Sequence, residues 1–375
     1  MFKRKNTRLS SSYKEDISKI LHCDVSDVFL YREGRVGLYA ILKSIGIEPD
    51  DEVILSAYTC SAVIDTIIAL GAKPVYADIR NDTYTLDLCH AKKLITPKTK
   101  VIISQNTFGL SYDVREIDLW AKSNHIFHIE DCAHGFGGYY HNMPNGRISD
   151  AAFYSTHVSK PFSTGIGGFI VVNNADLFKS IQSLNNSIKR APISDVILLP
   201  VLYYWRNKPV LRHCSAIVWR MRQFVMNYLR APKDSWCHQP CIIQASTTQI
   251  MYGIINIQNL QSINDQRRAC AHYYSSFLRE HSKIFVPDSV TTDHLFLYYP
   301  ILVENKQKVL NLAKQYDIEA NGLFRIKQNS KALGIDYSTL PVTFFTARHL
   351  VNLPTDRQID KRLEAFLNQI LDEIL

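Results

Sequence analysis

The stretch Ser155 to Gly168 reads STHVSKPFSTGIGG and lies between two apolar runs, Ala151 to Thr156 and Gly167 to Asn174. Lys160 sits in the middle of it. A lysine in a low-dielectric, cation-flanked loop loses its proton easily, and the free amine can attack a carbonyl. The competing reading is a solvated loop lysine, the usual state of this residue. Asp131 closes another apolar run, HIFHIED. A carboxylate there can hold a proton on the ring nitrogen of a pyridine cofactor, so that the ring takes up electrons. It can equally cap a helix starting at CAHG, and spacing alone leaves both roles open. A third feature is YREGRVGLYAILKSIG, Tyr31 to Gly46, where Gly34 and Gly37 precede an apolar helical pattern. Backbone N–H groups at such a start can face a phosphate.

These residues need elements to hold them. EVILSA (Glu52 to Ala57), KPVYADI (Lys73 to Ile79), KVIISQ (Lys100 to Gln105) and HIFHIED (His125 to Asp131) read as strands. CSAVIDTIIALG, LDLCHAKKLI and VREIDLWAKSN between them have helical spacing. Strands alternating with helices predict a mostly parallel sheet covered on both faces, with ligands at the carboxyl ends of its strands. A helix follows at about 175–186. A helical stretch from Thr247 is long enough to connect two lobes, and HLFLYYPILV, KQKVLNLAKQYDI and a final helix after Pro354 make a smaller α+β unit. The division predicted is a large domain over 1–186, an insertion over 187–245, a connecting helix over 246–284 and a small domain over 285–375.

The chain has 375 residues, and 43 Lys plus Arg against 35 Asp plus Glu leave a net charge of +8. Nine basic residues and a single acid, Asp195, lie between Lys189 and Lys233. The whole excess therefore sits in one segment on a neutral body, which argues against a surface that wraps nucleic acid. The opening residues MFKRKNTRLSSSYKED lack the apolar core of a secretory signal. Eight scattered cysteines show no framework spacing and fit reduced thiols. The expected location is the cytoplasm, with peripheral attachment to the inner membrane as an option.

Taken together, GIEPDDEVILSAYTC, GAKPVYADI, TPKTKVII, IEDCAHGFG and the spacing S-x4-K-x4-G-x-G-G of Ser155 to Gly168 resemble the DegT/DnrJ/EryC1/StrS family of sugar aminotransferases. The resemblance runs from about Gly34 to Asn186, and more loosely from Thr247 onward. It implies an α/β fold, the pyridoxal-phosphate-dependent transferase fold type I, with a large domain built on a mostly parallel sheet and a smaller α+β C-terminal domain. Its cofactor is pyridoxal 5'-phosphate, with pyridoxamine phosphate as the amino-carrying form. Lys160 would attach the cofactor and shuttle a proton, Asp131 would pair with the ring nitrogen, and His134 would lie beside the ring. Ser155 and the turn Gly34, Arg35, Val36 would hold the phosphate. Cys60 occupies the position where many members stack an aromatic ring, so Tyr58 or His134 would have to substitute. In the family's dehydratase branch a histidine replaces the lysine; Lys160 therefore implies amino transfer, from L-glutamate to a nucleotide-linked keto-sugar for surface polysaccharide, in a homodimer. No metal is implied.

The chain departs from the pattern at Arg35, Cys60 and Ile166, and CHQPCIIQASTTQ stands where the family has an Asn-Tyr-Arg stretch. These differences leave room for a non-nucleotide or lipid-linked carbonyl substrate, or for a scaffold subunit without turnover. In the basic segment, SAIVWRMRQFVMNYLR places Ile217, Met221, Phe224, Val225, Tyr228 and Leu229 on one helical face. Three readings stand: packing within the subunit or across a dimer, contact with an anionic membrane through residues 190–240, or a cationic lid over a diphosphate-linked substrate. His213, Cys214, Cys237, His238 and Cys241 also lie here, but their spacing is not a standard zinc pattern.

Overall fold

A computed structural model describes residues 2–192, 195, 199, 241–281, 292–323 and 335–375. Its first strands are β1 (Val28–Tyr31), β2 (Glu52–Ser56), β3 (Lys73–Ala77), β4 (Thr99–Gln105), β5 (Phe127–Asp131), the short hairpin β6 (Tyr139–Tyr140) and β7 (Met143–Pro144), β8 (Ala151–Ser155) and β9 (Gly168–Val172). One seven-stranded sheet has the order β1-β9-β8-β5-β4-β2-β3. From β3 to β8 neighbours run parallel, while β9 is antiparallel to β8 and β1 to β9. The sheet is thus mostly parallel, as the alternation of strands and helices predicts. Every residue of β2 and β9 is buried, as a sheet covered on both faces requires.

The covering helices are α1 (Phe2–Leu21), α2 (Gly34–Ile45), α3 (Ser61–Ile68), α4 (Leu88–Ala91), α5 (Arg115–Ser123) and α6 (Ala175–Asn185). Leu38, Ile41 and Leu42 of α2 pack with Val53, Leu55, Ile64 and Ile67 in one core. Tyr13 and Ile17 of α1 pack with Tyr154 and Phe169 in another. Helix α2 stops at Gly46, whose φ of 82° lets its N–H return to the Leu42 and Lys43 carbonyls; that left-handed position favours glycine.

Two helical expectations are corrected. LDLCHAKKLI makes only the single turn of α4, capped by the Asp87 carboxylate on the Cys89 and His90 N–H groups. Pro97 follows closely, and the residue before a proline is steered away from helix. The stretch from Thr247 is two helices, Thr247–Ile257 and Leu260–Glu280, rather than one. They part at Gln258 and Asn259, where asparagine readily leaves a helix.

In the C-terminal part β10 (Thr292–Asp293) joins β6, and β11 (Tyr298–Leu302) pairs antiparallel with β12 (Leu350–Pro354). Helices Lys306–Gln315, Pro341–His349 and Lys361–Ile370 pack here around Tyr299, Ile301, Val309, Leu363 and Phe366. Tyr58 and Phe108 of the first part belong to this same cluster. Most of the basic segment, with His213, Cys214, Cys237, His238 and the amphipathic face from Ile217 to Leu229, lies outside the described residues. Its two ends are described. Lys189 bridges to Ile243, and Gln244 bridges to Tyr31 of β1. No helix among the described residues is long and apolar enough to cross a membrane.

Candidate active site

Residues 156–167 join the antiparallel pair β8 and β9, and the loop is closed by its own hydrogen bonds. The Thr156 N–H donates to the Gly167 carbonyl at 2.9 Å, Val158 N–H to Gly165 at 3.0 Å and Thr164 N–H to Thr156 at 2.9 Å. Inside the loop the hydroxyls of Thr156 and Thr164 meet at 2.6 Å. Gly165 turns the chain at a φ of 88°. From outside, Asn256 Nδ2 donates to the Ser163 carbonyl at 2.7 Å. This frame carries Lys160, whose N–H donates to the His157 carbonyl at 2.9 Å. Burial lowers the Lys160 ammonium below the ordinary lysine range, and the neighbouring Cys60 and Asp131 act against that fall.

Asp131 ends β5 between Gln105 of β4 and Phe153 of β8. Its Oδ1 accepts the Ala133 N–H at 2.9 Å. A chain of turns follows it, so the carboxylate caps a turn rather than a helix. Burial pushes the carboxyl up to about 6; the Ala133 N–H and Lys160 pull it back, and Glu130 adds to the rise. His134 is buried, and that burial, with the Lys160 charge second, drives its imidazole well below the ordinary range. It is therefore neutral near pH 7. Its Nδ1 is buried with no hydrogen-bond partner among the described residues, a position that ordinarily calls for a partner. Lys160 thus acts electrostatically on both Asp131 and His134 at the carboxyl end of the sheet.

The residues expected at the phosphate end also converge. A Cβ on Gly34 would stand 3.0 Å from the Tyr154 carbonyl oxygen and 3.2 Å from Ser155 Cβ, so the start of α2 lies against the end of β8. A larger residue would have to push these neighbours aside by a few tenths of an ångström. Val36 spends its N–H on the Glu33 carbonyl at 3.1 Å, and its side chain is buried in the core. Arg35 holds Glu33 through Nε at 2.7 Å. Cys60 is exposed at the N-cap of α3. Tyr58 is committed elsewhere: it is fully buried, edge-on to Phe108 at 6.1 Å, and its hydroxyl donates to the Leu323 carbonyl at 3.3 Å. Ile166 is buried, and its carbonyl accepts from Gln249 Nε2.

Some polar contacts around the site carried no sequence signal. Thr59 Oγ1 donates to Gln105 Oε1 at 2.6 Å, and Gln105 Nε2 donates to Thr107 Oγ1 at 2.9 Å, at the end of β4. The guanidinium of Arg32 binds both oxygens of Asp195 at 2.7 and 3.0 Å. A different cluster imitates a hydrolase triad, with Ser104 Oγ 2.8 Å from His128 Nε2 and His128 Nδ1 3.5 Å from Asp118 Oδ1. Ser104 and His128 have no exposed surface, so this set ties β4, β5 and α5 together and offers nothing to a substrate.

A mostly parallel sheet thus brings a partly exposed lysine, a raised aspartate and an unpartnered neutral imidazole to its carboxyl end. Residues 22–192, a little under half of the chain, match the model of the DegT/DnrJ/EryC1/StrS aminotransferase family. The chain is 35% identical over 145 residues to GDP-perosamine synthase of Escherichia coli O157:H7, covering 39% of this chain and 40% of the relative. It is 37% identical over 152 residues to UDP-2-acetamido-2-deoxy-3-oxo-D-glucuronate aminotransferase of Pseudomonas aeruginosa, covering 40% and 42%. The chain thus spans about two fifths of the length of the curated relatives it matches. The fold extends further. The aminotransferase TlmJ of Streptoalloteichus hindustanus superposes with a TM-score of 0.75 at 16% identity, covering 97% of this chain and 89% of the other. NtdA of Bacillus subtilis, solved with bound cofactor PMP, gives 0.74 at 20%, covering 97% and 77%.

Proposed function

We propose that this protein is a pyridoxal-phosphate-dependent aminotransferase that passes an amino group from L-glutamate to a nucleotide-linked keto-sugar, working as a homodimer in the synthesis of surface polysaccharide. The observation that carries the reading is the grouping of Lys160, Asp131 and His134 at the carboxyl end of the sheet. The residues fit the cofactor. Asp131 is a buried acid that gains a cationic partner from a protonated pyridine ring, and His134 Nδ1 is a buried polar atom that lacks a partner. Ser155 and the Gly34 turn lie together where the phosphate would be held. The relatives named for GDP- and UDP-sugars support the substrate class.

Bound there, the cofactor supplies an aldehyde that captures amino groups and a ring that takes up developing charge. Lys160 would hold the cofactor covalently and, once displaced, would carry a proton on Nζ; burial lowers its ammonium below the ordinary lysine range. Asp131 would ionise against the ring nitrogen and keep it protonated. His134, neutral, borders the ring without adding a competing positive charge. The basic stretch between 190 and 240 is read as a surface for packing, anionic lipid or diphosphate.

Borohydride reduction of the protein with pyridoxal phosphate, followed by peptide mapping, should place the cofactor on Lys160 and find nothing there in Lys160→Ala. An adduct on another lysine overturns the assignment. L-glutamate should then shift the visible absorbance of the loaded protein, and a panel of keto-sugars with and without nucleotide should identify the acceptor. Turnover only of acceptors without nucleotide would move the substrate to the non-nucleotide or lipid-linked class, and no shift with any amino donor would leave a scaffold.

A further inference from the structure

Helix α2 begins at Glu33, an acidic N-cap whose carboxylate makes no capping hydrogen bond to its own helix. An anion at this position would ordinarily settle on the free N–H groups and the positive end of the helix dipole. Here it is drawn away. Glu33 Oε1 takes Arg32 Nη1 at 3.1 Å, and Oε2 takes Arg35 Nε at 2.7 Å. Arg32 is itself immobilised. Its Nε and Nη2 donate to the two oxygens of Asp195 at 2.7 and 3.0 Å, and the Asp195 side chain has no exposed surface. The Arg32 N–H donates to the Ile243 carbonyl at 3.0 Å, and the Arg32 carbonyl accepts Gln249 Nε2 at 2.9 Å.

The same N–H groups are the ones that a phosphate would use. Glu33 and the phosphate are therefore rivals for one positive terminus. We propose that Asp195 and Arg32 are positioning residues that, together with Arg35, hold the Glu33 carboxylate off the backbone N–H groups at the start of α2 and so keep the phosphate end of the site open. The inference rests on the cofactor reading above. It makes the only acid of the basic segment a functional partner of a turn 161 residues earlier, Gly34.

The test is a comparison of Arg32→Gln, Glu33→Gln, the double variant and Asp195→Asn with the unmodified chain. Each is titrated with pyridoxal phosphate, with pyridoxal, which lacks the phosphate, and with inorganic phosphate. Freeing Glu33 Oε1 in Arg32→Gln, with Oε2 still on Arg35 Nε, should weaken both phosphate-bearing ligands up to roughly tenfold, within what a charge at a helix N-terminus is worth, and leave pyridoxal unchanged. Asp195→Asn should weaken them in the same sense. Removing the rival in the double variant should restore affinity, and Glu33→Gln alone should bind phosphate at least as tightly as the unmodified chain. A double variant as weak as Arg32→Gln, or a parallel loss of pyridoxal, overturns the proposal and leaves a purely structural pair. Should Arg32→Gln not fold, weaker phosphate binding by Glu33→Gln overturns it as well. An unmodified chain that binds inorganic phosphate but no pyridoxal phosphate defeats the cofactor reading instead, and the ranking of variants with inorganic phosphate still decides the positioning role.

Discussion

Gly168 and Gly34 touch backbone to backbone: a Cβ on Gly168 would overlap the nitrogen and Cα of Gly34. This contact joins the first residue of β9 to the first turn of α2 and sets the opening in which Ser155 lies. Neither backbone can yield without moving a strand or a helix. Gly168→Ala should therefore cost about 3 kcal/mol in urea unfolding, at the upper end for overpacking, and weaken pyridoxal phosphate binding with it. Gly46→Ala is the control, since a Cβ there meets nothing within 4 Å and only its φ of 82° is strained; it should cost about 1 kcal/mol and spare the cofactor. Equal costs for the two would refute the contact argument.

Asp131 links stability to pH. Burial raises its carboxyl from 3.8 to about 6 in the cofactor-free fold, so across that interval the native state keeps a proton that the unfolded chain has released. The stability attached to that proton is complete below about pH 4 and is lost as pH rises through about 6. A shift of this size corresponds to about 3 kcal/mol. Cofactor-free Asp131→Asn should thus gain roughly that much over the unmodified chain between acidic and neutral pH, while the loaded variant should lose at least about a hundredfold in turnover. Parallel stability profiles for the two proteins would show that Asp131 titrates normally.

Cys60 should report cofactor occupancy. It is exposed at the N-cap of α3, and it is among the groups that act on Lys160. Maleimide labelling followed by mass spectrometry should modify Cys60 and Cys89, the two exposed thiols among the described residues. Prior loading with pyridoxal phosphate should protect Cys60 alone. Labelling of Cys60 that the cofactor leaves unchanged would remove this residue from the site.

The loop that carries Lys160 depends on one pair of hydroxyls. Thr164 Oγ1 meets Thr156 Oγ1 at 2.6 Å and donates to the Ile166 carbonyl at 3.0 Å, all buried. Thr164→Val keeps the shape and strands these partners, at an expected cost of about 1–3 kcal/mol. Because the strained stretch contains Lys160, borohydride capture of the cofactor should slow severalfold. Capture at the normal rate in a destabilised variant would separate the loop's stability from its role in aiming the lysine.

The central strands were legible because continuous apolar runs between amphipathic helices have few other outcomes. β4 begins one residue before the run read from the sequence, and β5 ends on Asp131 as read. Lys160, Asp131, Ser155 and Gly34 stood out for the same reason, being chemically distinctive residues at strand and helix ends. Helix α1 escaped notice because its long polar surface hides a narrow seam of Tyr13, Ile17 and Leu21, spaced four apart. β1 was invisible because its pairing partner, β9, lies far along the chain. Tyr58 looked free to stack on a ring, yet packing with Phe108 claims it. The pairing of Arg32 with Asp195 leaves no periodicity at all, since a single ion pair between distant segments has no pattern to repeat.

The ends of the basic segment meet at a neck. Lys189 N–H donates to the Ile242 carbonyl at 3.0 Å, and Gln244 N–H returns to the Lys189 carbonyl at 3.0 Å, beside the edge strand β1. The entropy cost of closing a loop grows only with the logarithm of its length. Chain length beyond this neck can therefore vary at small entropic cost, provided Asp195 and Leu199 keep their places against Arg32 and Gly165. The neck works as a graft point, at which the same chemistry can acquire a new address or a new clientele one segment at a time.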